Sequence, residues 1–406
     1  DLQRIVHYFR KKNTFFLILL LNMLCLSQFP FVHSDEAWLG GLSRAMMHQF
    51  SPITTEPFFD LLQRFPHAIK ILFHVLQMPF ILLLGYSPFS LRLLSLAAGM
   101  AGLYFLYRLM SLRCERPVPV YVAALAALDV QFIYASHFAR QEILLFTALI
   151  TALYLFSLGE RTGTRRFFRF SALTVGLSVG IHPNSFLISL PVGAFFLVRF
   201  LAGPNRAKTR DLLEYAGILA ISAAFFVGLS LAMDPDFLTH YAATGEKLGV
   251  AVPLYIKAFR FPDFYLKLYH GISGTYYTPD IRLQFILFGA AAVLSVPLAL
   301  WKRHRRTLIA STLTGLLFIN LGTLVLGKYS QPSIILHFPL YYILIGCLLE
   351  ALPKHFFAPA AGESGNRTGG PAKARAIPIP LRGAVFALIA AAMLGSTGIN
   401  MLREFH

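Results

Sequence analysis

Three short polar stretches interrupt an otherwise apolar chain, and their residue types suggest chemistry. Asp35 and Glu36 follow an apolar run that ends at Val32. His137-Phe138-Ala139-Arg140-Gln141-Glu142 puts four polar residues into one short turn, where one or two would serve. Lys328-Tyr329-Ser330-Gln331 precedes His337 by one to two helical turns. A carboxylate held rigidly at the boundary between hydrocarbon and water is what a hydroxyl acceptor needs from a base. Two such carboxylates facing each other across a cleft would push one pKa up or share a cation, which makes Glu142 a natural counterpart of Asp35. A lipid phosphate at headgroup depth calls for a basic partner, and Lys328 and Arg260 are available for it. Each stretch also has a plainer reading. Acids at helix ends are cheap to solvate, Arg140 and Glu142 could simply pair beside a capping His137, and Lys328 and Arg260 could be interfacial anchors.

The elements that must position these groups are membrane helices. Of 406 residues, 56% are hydrophobic and 14% charged, against about 25% charged in soluble domains, which excludes a soluble globular enzyme. The +17 charge is spread as basic clusters between long apolar runs, a topology signal rather than a nucleic-acid footprint, and no nucleic-acid partner is expected. Residues 14–32, preceded by Arg10, Lys11 and Lys12, are long enough for an uncleaved first span. Further spans are expected at 89–110, 118–135, 143–158, 170–182, 185–202, 214–233, 283–301, 307–327, 334–352 and 383–401, about eleven in all. The fold class is therefore an all-α polytopic membrane protein with amphipathic helices on its outer surface.

Residues 67–85 are long enough to span but carry Lys70, His67, His74 and Pro79. If they lie on the outer surface, 24 Lys and Arg are cytoplasmic against 12 elsewhere; if they span, the split becomes 13 against 23. The positive-inside rule selects the outer surface for 57–86. The outer side then holds 33–88, 136–142, 234–282 and 328–333, together with most of the acids, so chemistry is expected there. The catalytic unit is read as 1–352, a Gly- and Pro-rich cytoplasmic linker as 353–382, and a last span as 383–406. Along 36–50, Trp38, Leu42 and Phe50 fall near one helical face, opposite Ser43, Arg44 and His48. Asp129 and Arg92 lie inside spans and are expected to pair. The spacing of Cys25, Cys114 and Cys347 suggests neither a disulfide nor a zinc site.

These pieces resemble the membrane glycosyltransferases of the C-type (GT-C) fold, in the branch of the protein O-mannosyltransferases and the lipid A aminoarabinose transferase. HSDEAWLGGLSRAMM is similar to the family's acidic segment and first amphipathic helix. GYSPFSLRLLSLAAG is similar to its entry into the second span, HFARQEILLF to its second acidic site, and GKYSQPSIILHFPLYYILIG to its late Pro-containing helix. A weaker likeness joins DPDFLTHYAATGEK to Arg260.

The resemblance implies a hexosyl or pentosyl transfer from a polyprenyl-phosphate sugar, by a single inverting displacement on the outer face. The acceptor would be a lipid, glycan or protein. Asp35 would be the catalytic carboxylate, with Glu36 and Glu142 beside it. Lys328 or Arg260 would hold the donor phosphate, helped by Tyr329 and Arg140, and His137, His337 and Arg44 would face acceptor or sugar. No cofactor is required on this reading, with a divalent Mg or Mn ion on Asp35 and Glu142 as its variant. The location implied is a bacterial inner membrane, with the site toward the periplasm and membrane lipids as neighbours. Glu142 stands where relatives often carry Asp, and no large lumenal insert is present, so the acceptor is not carried over. The competing reading is a transporter or flippase of a lipid or polyisoprenoid-linked substrate, which would need a polar path near the midplane.

Overall fold

Capping side chains, rather than apolar length alone, set the helix ends that matter here. A computed structural model describes residues 23, 26–54, 65–203, 205–247, 250–270, 279–301, 306–327, 331–353, 356–358 and 377–405. Helix α1 (Ser34–Gln49) begins at His33, whose ring Nδ1 accepts the Asp35 N–H at 3.0 Å, while the Glu36 carboxylate accepts the His33 N–H at 3.3 Å. This reciprocal cap fixes both acids in the first turn. A 3₁₀ turn (Ala68–Lys70) leads into α2 (Ile71–Leu84), which stops at Gly85 with φ +76°. Ser87 caps α3 (Pro88–Ser111), with proline in the first turn where its missing N–H costs nothing.

The chain continues through α4 (Val118–Leu128), α5 (Val130–Ser136), α6 (Glu142–Thr162), α7 (Arg165–Leu177), α8 (Ser185–Leu201) and α9 (Arg206–Met233). Then come α10 (Phe237–Lys247), α11 (Leu254–His270), α12 (Arg282–Trp301), α13 (Arg306–Leu326), a 3₁₀ stretch (Gln331–His337), α14 (Phe338–Ala351) and α15 (Leu381–Phe405). Every span expected after residue 32 is helical, 118–135 as two helices. Among the described residues, seven helices are long and apolar enough to cross a membrane, or eight if α4 and α5 form one bent span. Helix α7, with 13 residues and a basic start, and α8, with 17, are shorter than these. Most of 14–32 lies outside the described residues. The expected linker 353–382 is joined at its ends, because β1 (Phe356–Ala358) pairs antiparallel with β2 (Ile377–Ile379).

The span at 118–135 is not one helix. It bends by 69° at Asp129, whose carboxylate accepts the Gln131 N–H at 2.8 Å and so caps α5. The Tyr342 hydroxyl (2.6 Å) and the Gln284 amide (3.3 Å) also donate to Asp129, and the Thr397 hydroxyl donates to the Leu128 carbonyl left open by the break. The expected Asp129–Arg92 pair therefore does not form. The two side chains face different neighbours, Arg92 toward Glu36 and Asp129 toward Tyr342 and Gln284. The amphipathic face of α1 also differs from expectation. Ser43 is buried, bonded to His74 and Gln77 of α2, because α2 presents polar groups at that contact, while Phe50 is exposed.

Small residues bring the site-bearing helices together. A Cβ at Gly102 of α3 would lie 2.9 Å from Thr147 Oγ1 of α6, and one at Gly99 would lie 2.8 Å from the Ser136 Cβ. Close α3–α6 packing of this kind sets the start of α3, with Arg92, beside the start of α6, with Glu142.

Candidate active site

The first turns of α1, α3 and α6, the 136–142 turn and the 3₁₀ stretch at 331–337 meet at one end of the bundle. Glu36 joins three of them. Its Oε1 accepts Arg92 Nε (2.8 Å) and the Ala139 N–H (2.7 Å), and its Oε2 accepts Arg92 Nη2 (2.6 Å) and the His33 N–H (3.3 Å). The third arm of Arg92, Nη1, donates to the Leu26 carbonyl at 3.0 Å. Both side chains are buried, so Glu36 is an ion-paired clamp with four donors on two oxygens.

Asp35, one residue earlier, points to a different partner. Its Oδ2 lies 2.7 Å from Arg140 Nη1, while Glu142 takes Arg140 Nη2 at 2.9 Å and Nε at 3.2 Å. One guanidinium thus sits between two carboxylates that are 107 positions apart in the chain. The planar five-donor fork of arginine suits this double duty. The Ser333 hydroxyl adds a long contact to Glu142 Oε1 at 3.4 Å and accepts from Asn184 at 3.2 Å, tying the 3₁₀ stretch and the start of α8 to the cluster. Asp35 keeps 17% of its side chain exposed, against 3% for Glu142 and for Glu36. Of these three acids, Asp35 is the one a substrate can reach.

Sequence reasoning missed several contributors. His33 caps Asp35 directly. Lys70 lies over the Trp38 ring at 5.1 Å, one helical turn beyond Asp35. Lys70 had counted only as a charge that argued against a span. Beside it, burial first and the Lys70 charge second push His67 down to about 4 and His74 down to about 3.

The remaining expected site residues are scattered. The His137 ring Nδ1 turns back to the Ile133 carbonyl (2.8 Å) and Ser136 Oγ (3.1 Å), so it is buried in its own turn. His337 is buried between α13 and α14, with Nε2 at 3.4 Å from Thr323 Oγ1. Arg44 is exposed on α1 with its guanidinium over Tyr86. Arg260 is exposed on α11, and no described contact joins it to the Asp35 cluster. Lys328 and Tyr329 lie outside the described residues. Just before them Gly327, at φ +65°, closes α13 under the Lys257 side chain.

The architecture as a whole is similar to solved structures of two proteins, ArnT and AglB. ArnT from Cupriavidus metallidurans bound to undecaprenyl phosphate superposes with a TM-score of 0.60 at 17% identity, over 84% of this chain and 60% of that one. Its apo state gives 0.60 at 15% identity, over 86% and 61%. The Archaeoglobus fulgidus oligosaccharyltransferase AglB, in complex with an inhibitory peptide and a dolichol-phosphate, gives 0.52 at 15% identity, over 96% and 55%. The fold is that of the C-type membrane glycosyltransferases. No protein-family model and no curated protein matches the chain. The chain spans about 60% of the length of ArnT and 55% of AglB.

Another structure of the archaeal enzyme is a complex with Zn and sulfate. Here, among the described residues, no three His, Cys, Asp or Glu side chains converge as ligands. The two carboxylates that could begin such a site are already bonded to Arg140. These residues do not fit a resident divalent ion in this arrangement.

Proposed function

We propose that this protein is a membrane glycosyltransferase that moves a sugar from a polyprenyl-phosphate donor to a hydroxyl on a lipid, glycan or protein, with inversion at the anomeric carbon. The observation that carries this reading is the Arg140 guanidinium held between Asp35 and Glu142 at the end of a C-type bundle, with Asp35 the more open of the two acids. Asp35 takes the proton of the acceptor hydroxyl. The acceptor oxygen bonds to the anomeric carbon from the face opposite the phosphate. The bond from that carbon to the phosphate oxygen breaks, and the phosphate keeps the electron pair. A phosphate leaves without a general acid if its charge is met by cations. Lys328, Arg260 and Tyr329 are proposed for that role, with Lys70 as a further cation at the site end. Glu142 fixes Arg140, and Arg140 in turn fixes the orientation of Asp35.

The fold shared with ArnT and AglB supports lipid-linked donors in general. The distribution of Lys and Arg supports the opposite, outer face of a bacterial inner membrane as the location of the site. The decisive experiment uses Asp35→Asn in the purified full-length protein with a polyprenyl-phosphate sugar and a hydroxyl acceptor. An amide keeps the volume but does not accept the proton, so transfer falls by ~100-fold or more while donor binding persists. Near-normal turnover by the folded variant sinks the assignment. Movement of the lipid across the membrane with no sugar transferred by the unmodified protein selects the transporter instead.

A further inference from the structure

The end of the bundle opposite the Asp35 cluster carries a second ionic assembly with a different composition. Asp211 and Glu214, in the first turns of α9, are surrounded by arginines from three helices. Glu214 pairs with Arg165 (2.7 Å), Arg169 (3.0 Å) and Arg210 (3.1 Å), and Asp211 with Arg165 (3.1 Å) and Arg199 (2.9 Å). Four guanidiniums on two carboxylates leave positive charge uncompensated. Arg206, exposed in the same turns, adds to it. Arg169 and Arg210 remain 51% and 61% exposed, so this excess faces outward.

Helix α9 is also too long for its membrane. Its 28 residues extend about 42 Å, whereas a hydrocarbon core is about 30 Å thick. The apolar part, 215–233, fills that core by itself at about 28 Å. The turns Arg206–Glu214 are therefore left at headgroup depth. The outer face of these turns is a shallow, open pocket formed by Arg206, Thr209, Arg210, Leu213 and Glu214.

From the pocket an apolar row runs along α9 at four-residue spacing: Leu213, Gly217, Ile221 and Phe225. The three side chains are 66%, 73% and 62% exposed, and nothing lies within 4 Å of a Cβ placed on Gly217. Leu213 to Phe225 is about 18 Å along the helix, close to the thickness of one leaflet's hydrocarbon, about 15 Å. A cationic pocket with a hydroxyl, continued by an apolar row with a notch one turn below it, is complementary to an amphiphile with an anionic head.

We propose that this surface is a binding site for one anionic glycerophospholipid, with its phosphate among Arg206, Arg210 and Thr209 and one acyl chain along α9 over Gly217. The site is distinct from the proposed reaction centre, at the other end of α6 and α9, and does not depend on the transferase reading.

Native mass spectrometry of the full-length protein in non-ionic detergent, titrated with phosphatidylglycerol or phosphatidylcholine, tests it. Phosphatidylglycerol is expected to bind ~10-fold or more tightly than phosphatidylcholine, whose ammonium cancels the net headgroup charge that the arginines attract at about 1 kcal/mol each. The double variant Arg206→Gln/Arg210→Gln should bring it to the phosphatidylcholine level. The fold should survive, since Glu214 keeps Arg165 and Arg169, and an unchanged circular dichroism spectrum checks this. Gly217→Leu fills the notch without touching a charge and should weaken phosphatidylglycerol several-fold. Millimolar inorganic phosphate should not displace the lipid. Equal affinity for the two lipids, unchanged binding in the double variant or in Gly217→Leu, or displacement by free phosphate overturns the proposal.

Discussion

The two ends of this bundle use the same chemical pair, arginine with carboxylate, in opposite proportions. At the Asp35 end, one guanidinium serves two acids and is itself only 11% exposed. At the far end, four guanidiniums serve two acids, and two of the four are more than half exposed. The first arrangement leaves a carboxylate in excess at a sheltered helix end, which suits removal of a proton. The second leaves cations in excess at an open one, which suits the holding of an anion. What separates a reaction centre from a headgroup site here is the ratio of charges and their burial, since the residue types are shared.

That contrast can be broken first through Arg92. Arg92→Leu leaves Glu36 buried without its cation and should destabilise the fold by about 3–5 kcal/mol, read as a lowered midpoint of thermal unfolding. Pairing it with Glu36→Leu should restore much of the loss. The next effect concerns the donor. Lys328→Ala and Arg260→Ala should each raise the donor concentration needed for half-maximal transfer by about 10- to 150-fold, the range for one charge-assisted contact of about 1.5–3 kcal/mol. Unchanged donor dependence in both variants returns these residues to interfacial anchoring.

The third test is pH. His67 and His74 fall from the ordinary value of 6.5 to about 4 and about 3 in the fold, so an unfolded chain takes up their protons first. Their contribution to stability is complete above about 6.5 and declines as the pH drops toward 4 and 3. Unfolding midpoints measured from pH 7 to 5 should fall, and His67→Gln should flatten that slope. The smallest effect belongs to the far end. Arg210→Ala removes an exposed pair and should shift stability by no more than about 1 kcal/mol, which the same thermal assay detects. A loss as large as that of Arg92→Leu would erase the distinction drawn between the two ends.

Much of this arrangement could be read from the chain, in proportion to how local its cause is. The 3.6-residue apolar runs and the Ser87-Pro88 start of α3 are legible because they act within a few residues. Arg140 and Glu142 are neighbours in sequence, and Asp35 could be assigned to the same end from charge balance alone, though nothing in the chain says that Arg140 lies between the two acids. Arg92 shows the limit. Its depth was clear, but rotation about the helix axis decides whether it meets Asp129 or Glu36, and that depends on the packing of α1 against α3. Asp129 broke a helix that composition reads as continuous, because the bonds from Tyr342, Gln284 and Thr397 that accommodate the break come from far along the chain. Lys70 was hidden by a similar ambiguity, a cation on an apolar stretch whose placement beside Trp38 is a tertiary fact.

Lys257 gives the corner after α13 a mechanical character. Its ammonium donates to the Val250 and Val325 carbonyls, each at 2.6 Å, and its stem covers Gly327. Helix α11, the loop before it and the exit of α13 are thereby latched at one point, immediately ahead of Lys328. A shift of α11 either pulls that corner along with it or breaks two charge-assisted bonds. The aromatic helix that carries Arg260 and the exit of α13 thus behave as one lever, so that whatever moves the first also repositions the second.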